Sequence, residues 1–471
     1  MINFFNQKKV QNVEIEEKFK WISKIDEQKK ELINQDIKFR FDEIEKINNF
    51  FSMPNGKNHL QKLYNDMVSS GFPEVSSKLE VELLKEIFNQ KTINDIFYNP
   101  SIGPNKSKLK KDYNKIVINK EYGFISAPKG LIFIVGSSNT ILPVITSIIL
   151  SYVCGNVTIA QLSKLHIKFI EFFLKGLPFK GCDYIHLTNL DRNNSNDLEY
   201  LNKLIINLPL NVLNVWGGEE SNSFYYKMLS ENNHRPSILN MEPLTGIVVI
   251  QKSYIEKHTE KVSKELAEAI SIMGQQLCSS PTEGYILNDT KVFSEENFFE
   301  NFITNLEKFY TPSSDGDFEY IKLDRVLSYL VDNGSKVYNS KIYGNKISIV
   351  KSKGLSAFNK INSDLSLSIH QRRSFLELIE VENFEEIYKL SKSIAHKETH
   401  KEVKNIQTIL TFGDKEFTRK VFKLARLIGA FRVVDYKYIL NRYPMEPLDG
   451  KHLINEFTYQ IGIVGSPVSS M

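Results

Sequence analysis

The pattern of apolar positions changes near residue 116 and separates a helical first part from an alternating remainder. Apolar residues recur at helical spacing from Val13 to Phe51 and again from Ser76 to Phe97, among many Glu and Lys residues. Asn99-Pro100 ends the second of these segments. The Lys-rich stretch from Ser101 to Asn114 is typical of a solvated loop. We therefore expect residues 1–120 to form a helical N-terminal region.

From Ile116 onward, short β-branched runs alternate with amphipathic segments. The predicted strands are 130–136, 155–160, 183–187 and 210–216, and the predicted helices between them include 141–153 and 165–174. Strands that alternate with helices pair in parallel, so this stretch predicts a doubly wound α/β domain over residues 121–244. Ligands of such domains bind at the carboxyl ends of the strands.

A second α/β domain is predicted over residues 245–438. The segments that predict it are the strands 246–250, 284–287, 406–412 and 431–434 and the helices 259–273 and 415–427. Residues 439–471 contain a turn at Asp449-Gly450 and one late apolar run, and we expect this tail to return to the first domain. The expected fold class is α/β, with two doubly wound domains and a helical N-terminal region.

Composition and charge exclude several classes of protein. The chain has 471 residues, of which 41% are hydrophobic, enough for a large core in two or three domains. Lys and Arg number 60 against 56 Asp and Glu, and this net charge of +4 is too balanced for a nucleic-acid-binding surface. Gly136, Asn139 and Pro143 interrupt the most apolar segment, so no membrane span is predicted. The first residues lack the apolar core of a signal peptide, and we expect a cytoplasmic protein.

One of three cysteines stands apart by its surroundings. Cys154, Cys182 and Cys278 are distant in sequence, and no CxxC pair or Cys/His cluster occurs, so neither a metal site nor a disulfide scaffold is predicted. Cys278 lies in Gly274-Gln275-Gln276-Leu277-Cys278-Ser279-Ser280-Pro281, between an amphipathic helix and a strand-like run. A thiol at such a turn can be held rigidly as a nucleophile, although most lone cysteines are buried small hydrophobes.

Two strand ends in the first domain have residues suited to catalysis or binding. Asn139 follows the first predicted strand, where its amide would serve as an oxyanion donor or simply cap the next helix. Gly217 and Gly218 follow the fourth strand and open a helix, where a phosphate is favoured. Glu219 and Glu220 would oppose a phosphate placed too close, so a plain turn is the alternative. No GxGxxG or GxxxxGK[ST] pattern occurs, which excludes a standard dinucleotide fingerprint and a P-loop.

Together these segments resemble the acyl-CoA reductase branch of the aldehyde dehydrogenase superfamily, the LuxC-like fatty acyl reductases of bacterial luminescence. The residues that support the resemblance are Gly130 to Asn139, Gly155-Asn156-Val157, Leu162-Ser163, Val215-Trp216-Gly217-Gly218-Glu219-Glu220, the group Gln276, Cys278 and Ser280-Pro281, and Asn405-Ile406-Gln407-Thr408. The similarity extends over residues 120 to 460 in consistent order, whereas the first 110 residues match only in being helical. It implies an aldehyde-dehydrogenase-like fold.

The resemblance also implies roles for individual residues. Cys278 would be the nucleophile and Asn139 the side-chain oxyanion donor. The implied cofactor-binding residues are Ser137, Gln161, Ser163, Gly217 and Gly218. Ordinary aldehyde dehydrogenases often have a Glu where Ser163 stands, and its loss removes a repulsion against a 2′-phosphate. NADPH is therefore the expected cofactor, with NADH as the alternative.

The activity that the resemblance implies depends on Asn240, where this chain departs from the hydrolytic aldehyde dehydrogenases. Hydrolytic aldehyde dehydrogenases have a Glu there that activates the deacylating water. Without that base, a thioester at Cys278 is not hydrolysed and can be reduced. The implied reaction is NADPH-dependent reduction of a long-chain fatty acyl thioester to the aldehyde, with luminescence as one context. The acyl group would come from acyl-CoA or from an acylated partner such as an acyl-protein synthetase, and a homo-oligomer is expected by analogy.

Two other functions stay open on the sequence alone. Glu242 is two residues from Asn240 and would point to the same face of a strand, so a hydrolytic NAD(P)-dependent aldehyde dehydrogenase with Glu242 as base is one alternative. A non-catalytic subunit that scaffolds an acyl-transfer complex is the other. The presence of both Asn139 and Cys278 argues against a scaffold, which needs neither.

Overall fold

The protein forms two compact α/β units. The computed structural model describes residues 2–4, 22–35, 37–89, 92, 115–117, 122–137, 139–241, 244–275, 277–291, 294–310, 320–353, 374–392, 395–396, 401–402, 406–439 and 446–464. The first unit comprises Met1–Ser70, Ser77–Pro243 and Tyr443–Met471, and the second comprises Gly71–Ser76 and Leu244–Arg442. Both units are therefore discontinuous in sequence.

The N-terminal part of the chain is mainly helical, as its pattern predicts. Its elements are β1 (Ile2–Phe4), α1 (Ile22–Asn34), α2 (Ile37–Ser52), α3 (Pro54–Ser69) and α4 (Glu74–Ile87). One predicted helix is divided into α1 and α2, and β1 is a strand where only helices are predicted. The last part of the predicted helix 76–97 lies outside the described residues.

The first unit is built around a six-stranded sheet. The elements that follow the N-terminal helices are β2 (Lys115–Val117), β3 (Tyr122–Pro128), β4 (Leu131–Val135), α5 (Leu142–Val153), β5 (Val157–Gln161), α6 (His166–Lys175), β6 (Ile185–Thr188), α7 (Ser195–Asn207), β7 (Val212–Trp216), α8 (Glu219–Leu229) and β8 (Ser237–Met241). The strand order is β1-β6-β5-β4-β7-β8, parallel except for β1. Strands β4, β5 and β7 are buried on both faces, which explains their continuous apolar runs.

The winding of this sheet reverses next to β4. Strands β5 and β6 extend the sheet on one side of β4, whereas β7 and β8 extend it on the other. A topological switch point therefore lies between β4 and β7. The described residues that follow these two strands, 136–137, 139–141 and 217–218, are at the position where a doubly wound sheet usually binds its ligand.

One predicted strand begins later than its pattern indicates. The sequence predicts a strand over 183–187, but a 3₁₀ helix covers Lys180–Tyr184 and β6 starts at Ile185. The first backbone N–H of the 3₁₀ helix donates to the carboxylate of Glu43 at 2.7 Å, and the carbonyl of Asp183 accepts from Gln28 at 2.7 Å. Both partners come from the N-terminal helices, so the local pattern does not indicate them.

The second unit is built around a seven-stranded sheet. Its elements are β9 (Thr245–Gln251), α9 (Lys252–Lys257), α10 (Thr259–Ser271), β10 (Pro281–Leu287), α11 (Glu295–Phe309), α12 (Tyr320–Asp332), β11 (Lys336–Ser340), β12 (Gly344–Lys353), β13 (Phe375–Val381), α13 (Phe384–Lys392), β14 (Ala395–His396), β15 (Lys401–Glu402), β16 (Ile406–Phe412), α14 (Lys415–Ile428) and β17 (Arg432–Val434). The order is β11-β12-β13-β10-β9-β16-β17, with β11 antiparallel to β12 and the other pairs parallel. Strands β11, β12 and β13 add to the four that the sequence predicts.

The last described segment belongs to the first unit. It contains α15 (Leu453–Phe457) and β18 (Thr458–Val464). Strand β18 pairs antiparallel with β3, which in turn pairs with β2. The carbonyl of Phe457 accepts hydrogen bonds from Lys129 N at 3.1 Å and Asn156 Nδ2 at 3.0 Å. The prediction of an α/β fold is confirmed, and none of the described helices has the length and apolar content needed to cross a bilayer.

Candidate active site

Cys278 lies on a tight turn that leads into β10. A 3₁₀ segment, Ile272–Gln275, follows α10, and its residues Met273, Gly274 and Gln275 have φ values of 49°, 59° and 64°. Three consecutive residues in this rarely occupied region redirect the chain from the helix into the turn. The turn itself is closed by Ser280 N, which donates to Leu277 O at 2.9 Å. Cys278 is its second residue and is half-buried.

Contacts from two neighbouring strands fix this turn. The Gln275 amide donates to the carbonyls of Pro281 at 2.8 Å and Phe375 at 2.6 Å, and its oxygen accepts from Phe375 N at 3.1 Å. Gly246 of β9 packs so closely that a Cβ there would lie 2.4 Å from Ser279 O. The backbone around Cys278 is therefore held rigidly, as a nucleophile requires.

Gln407 contacts the sulfur of Cys278. Its side chain is 2% exposed, and its Nε2 donates to Cys278 Sγ at 2.8 Å. Its Oε1 accepts from the hydroxyl of Thr408 at 3.4 Å. The sequence prediction includes Gln407 among the residues of the resemblance but gives it no role. The sequence contained one indication of a role for Gln407. It is the lone amide in the buried strand Ile406–Phe412, and a buried amide needs hydrogen-bond partners.

The other two cysteines are in environments that suppress reactivity. Burial raises the pKa of the Cys154 thiol and of the Cys182 thiol to about 12. Cys182 Sγ also donates to Leu174 O at 3.5 Å. All three cysteines lie in the described part of the chain, and no disulfide joins them. Thiols that stay protonated at neutral pH are poor nucleophiles, so Cys278 is the candidate.

Asn139 lies in the loop after β4, in the first unit. The N-cap position of α5 belongs to Ile141, so Asn139 is not the N-cap residue of that helix. Ile141 N donates instead to the carboxylate of Glu80 at 3.1 Å. Ser137, in the same loop, donates its hydroxyl to Thr140 O at 3.2 Å. The loop is thus shaped by its own backbone and by Glu80. The catalytic role predicted for Asn139 stays a prediction.

Glu80 is a second residue to which the sequence prediction gives no role. It lies on α4, is 5% exposed and accepts the Ile141 hydrogen bond described above. Burial raises its pKa to about 7, while hydrogen bonds from Thr140 and Ile141 lower it. Ser77, Glu80 and Leu84 are all buried at helical spacing, so Glu80 stands on the inner face of α4. An acidic residue at the spacing of the buried positions of this helix was the sign in the sequence that Glu80 lies in the interior.

Gln161 and Ser163 both make hydrogen bonds within the protein near the end of β5. The Gln161 amide donates to Leu190 O at 2.8 Å and accepts from the hydroxyl of Thr188 at 2.6 Å. The hydroxyl of Ser163 accepts from the backbone N–H of His166, the first residue of α6, at 3.2 Å. Their predicted contact with the adenosine ribose stays a prediction.

Gly217 and Gly218 form the turn between β7 and α8. Gly218 is the exposed N-cap residue of α8, and a Cβ there would meet no atom within 4 Å. A Cβ at Gly217 would lie 3.0 Å from the Cβ of Ser221. Asn222 supports the turn by donating to Gly217 O at 3.0 Å. A helix N-terminus with open space in front of it fits a phosphate group.

Four of the predicted residues lie at the switch point of the first sheet. Ser137 and Asn139 follow β4, and Gly217 and Gly218 follow β7. Small residues and a helix N-terminus on the two sides of this crevice fit the pyrophosphate of a dinucleotide. Cys278 belongs to the second unit. Within the described ranges, no three His, Cys, Asp or Glu side chains form a group that would hold a metal ion.

Asn240, which bears on the question of a hydrolytic base, lies in β8 next to its last residue. Asn240 is half-buried, and its carbonyl accepts from Lys451 Nζ at 2.8 Å. Glu242, the base in the hydrolytic alternative, lies outside the described residues, as do Gln276 and Asn405 of the resemblance. The expectation that Asn240 stands in place of a catalytic carboxylate therefore stays a prediction.

Comparisons with known proteins support the resemblance. The sequence profile described as "Acyl-CoA reductase (LuxC)" matches residues 114–459. No curated protein sequence matches the chain at a significant level. The sequence-based prediction of this family is therefore confirmed by an independent match over most of the chain.

The fold is similar to that of solved aldehyde dehydrogenases. Succinic semialdehyde dehydrogenase from Streptococcus pyogenes, in complex with NADP+, superposes with a TM-score of 0.68 at 14% identity, covering 98% of this chain and 97% of that one. GapN from Methanocaldococcus jannaschii, complexed with NADP, gives 0.65 at 15% identity, with 98% and 96% covered. AldC from Pseudomonas syringae, in complex with NAD+ and octanal, gives 0.66 at 11%, with 94% and 87% covered. The aldehyde-dehydrogenase-like fold is confirmed.

Proposed function

The chain belongs to the LuxC family of acyl-CoA reductases, and on that premise we propose that it reduces a long-chain fatty acyl thioester to the aldehyde with NADPH. It is an oxidoreductase of the aldehyde dehydrogenase superfamily, in which solved relatives bind NADP or NAD. The observation that most supports the proposal is the rigid turn that holds Cys278, with the Gln407 amide donating to its sulfur at 2.8 Å.

The first step is acyl transfer to Cys278. The thiolate attacks the carbonyl carbon of the acyl thioester, and a new C–S bond forms. The resulting oxyanion is stabilised by the backbone N–H of Cys278 and, by the family resemblance, by the side chain of Asn139. The bond to the carrier sulfur then breaks, and the carrier leaves as its thiolate with the electron pair. The acyl group remains as a thioester on Cys278.

The second step reduces this thioester. The cofactor, when bound, supplies the hydride. The chain holds the acyl carbon in place as a thioester, stabilises the oxyanion that forms on reduction, and then releases the product. On release the C–S bond breaks, the electron pair returns to the sulfur of Cys278, and the free aldehyde leaves. Asn240 in place of a carboxylate is consistent with an acyl-enzyme that is reduced rather than hydrolysed.

The finer details of substrate and cofactor are part of the proposal. The Ser163 side chain accepts from His166 N and carries no negative charge, which favours a 2′-phosphate and hence NADPH over NADH. The acyl donor is acyl-CoA or an acylated partner protein. We also propose a homo-oligomer, by analogy with the superfamily.

The decisive experiment follows NADPH oxidation with myristoyl-CoA in the wild type, in Cys278→Ala and in Cys182→Ala as a matched cysteine control. We expect aldehyde formation in the wild type and in Cys182→Ala, and a loss of roughly 10⁴-fold or more in Cys278→Ala. Normal turnover by Cys278→Ala would refute the proposal. Oxidation of an added aldehyde with NADP+ and no CoA, yielding free acid, would indicate the hydrolytic alternative.

A further inference from the structure

We infer that Gln407 is a catalytic residue, whose side-chain amide stabilises the thiolate of Cys278 before acylation and again when the aldehyde leaves. The inference rests on the proposed function, because it assigns a role within that reaction. Gln407 touches the reacting sulfur directly, at 2.8 Å from Nε2 to Sγ. It comes from β16, which is distant in sequence from the turn that carries Cys278 but lies beside β9 in the same sheet.

The amide is oriented by its surroundings. Gln407 is 2% exposed, so its position is set by packing in β16. Its oxygen accepts from the Thr408 hydroxyl at 3.4 Å, and in this orientation the NH₂ group faces the sulfur. A preoriented donor in a dry environment stabilises a charge more than a mobile donor in water does.

A purely structural amide would have different partners. Gln275 is the structural case in the same unit, because its amide bonds only to backbone groups of Pro281 and Phe375 among the contacts described above. The Gln407 amide instead donates to a sulfur. A neutral thiol is a weak acceptor, whereas a thiolate makes a charge-assisted hydrogen bond. The hydrogen bond from the buried Gln407 amide to Cys278 is therefore strongest when that cysteine is ionised.

The hydrogen bond changes strength during the cycle. When the thiolate attacks the acyl carbon, a sulfur electron pair becomes the new C–S bond, so the sulfur loses its charge and the bond from Gln407 weakens. When the reduced adduct collapses, the C–S bond breaks and the pair returns to the sulfur, so the bond strengthens again. Gln407 thus favours the ionised nucleophile at the start and the thiolate leaving group at the end.

The test measures the pH dependence of Cys278 alkylation by iodoacetamide in the full-length protein, located by mass mapping. Cys154 and Cys182, whose thiol pKa burial raises to about 12, do not compete near neutral pH. Gln407→Met removes the donor at similar volume, and Gln407→Glu replaces it with an anionic oxygen at the same size. We expect the alkylation midpoint to rise by about one to two pH units in both, and acyl-CoA reduction at pH 7 to fall about tenfold or more.

Thr411→Val is the matched control. Thr411 is buried in β16, four residues from Gln407, and its hydroxyl has no hydrogen-bond partner among the described residues. We expect this variant to keep the wild-type midpoint. Circular dichroism checks the fold of each variant. If Gln407→Met does not fold, Gln407→Leu, which also removes the donor without adding a charge, carries the test.

The possible results separate this inference from the proposed function. A folded Gln407 variant with an unchanged alkylation midpoint would overturn the role of Gln407, whatever the enzyme reduces. A raised midpoint in a protein that reduces no acyl thioester would support the thiolate contact and refute the proposed reaction instead. An equal rise in Thr411→Val would also overturn the inference, because it would trace the effect to the packing of β16.

Discussion

The carboxylate of Glu80 accepts a hydrogen bond from the backbone N–H of Ile141 at 3.1 Å, across 61 residues of sequence. This contact joins α4 to the start of α5. It fixes the far end of the loop that contains Ser137 and Asn139. A buried acid thus takes the place of the side-chain cap that α5 lacks, and the shape of the loop depends on it.

Glu80→Gln should make the free energy of unfolding less dependent on pH. Burial raises the pKa of Glu80 from 4.5 to about 7, so the folded state binds this proton more tightly than the unfolded state. Its contribution to stability is fully present below pH 4.5 and is lost as the pH rises through about 7. The free energy of unfolding of the wild type should therefore fall by up to about 3 kcal/mol relative to Glu80→Gln over this window.

Urea unfolding at several pH values measures this difference. Glu82→Gln is the matched control, because Glu82 is exposed on the same helix. We expect Glu82→Gln to follow the wild type at each pH. A constant difference between wild type and Glu80→Gln from pH 4.5 to 8 would contradict the assigned ionisation.

Asn139→Ala should slow the reaction without unfolding the protein. If the Asn139 amide stabilises the oxyanion, its removal lowers kcat by about 10²–10³ and changes KM little. Steady-state rates of NADPH oxidation with myristoyl-CoA measure both constants. Asn207→Ala, at the exposed end of α7, is the control and should behave as the wild type. A lower melting temperature with an unchanged kcat would instead indicate a structural role.

Gly218→Val should weaken cofactor binding and change stability only slightly. The backbone of Gly218, with φ of −69° and ψ of 176°, suits any residue, and a Cβ there meets nothing within 4 Å. Because Val is a poorer N-cap than Gly, the free energy of unfolding should fall by no more than about 1 kcal/mol. The added side chain would occupy the space in front of α8, so we expect the Kd for NADPH to rise by about tenfold or more. Thermal unfolding and fluorescence titration test the two expectations separately, and an unchanged Kd would exclude this turn as a phosphate site.

Ser163→Asp should shift the cofactor preference toward NADH. An Asp carboxylate can accept the hydrogen bond from His166 N as the Ser hydroxyl does, so this contact is retained while a negative charge is added. Repulsion between this charge and a 2′-phosphate should lower the ratio of kcat/KM for NADPH to that for NADH by about tenfold. The Asn side chain of Ser163→Asn can also accept this hydrogen bond but has no charge, so this variant should keep the wild-type ratio. If the Asp and Asn variants have the same NADPH-to-NADH ratio of kcat/KM, the adenosine ribose of the cofactor does not lie near Ser163.

Elements with local determinants could be predicted from the sequence. Strand β16 has the predicted bounds, and α14 differs from prediction by one residue at its end. The side chain of Asp414 caps α14 by accepting from Phe417 N, and Gly429 ends the helix with φ of 72°. These determinants lie within a few residues of the helix ends, so the pattern of the chain contains them.

The features that were not predicted depend on distant contacts. Strand β1 pairs with the edge strand β6 through Ile2–Phe4, and Gln407 meets the sulfur of Cys278 only because the fold brings β16 to the turn of Cys278. Glu80 likewise acquires its function through Ile141. A pattern of apolar positions indicates which residues are buried, but it does not identify the partner that a buried polar group meets.

The pairing of β18 with β3 has a consequence for how the protein folds as it is made. The first unit lacks its last strand until Val464 has been synthesised, although β8 is complete at Met241. At typical rates of protein synthesis, the intervening residues take roughly 10 to 45 s. During that time the edge of β3 is uncovered on the ribosome, while almost the whole second unit emerges and can fold. We expect chains arrested before Thr458 to recruit chaperones that recognise exposed strands.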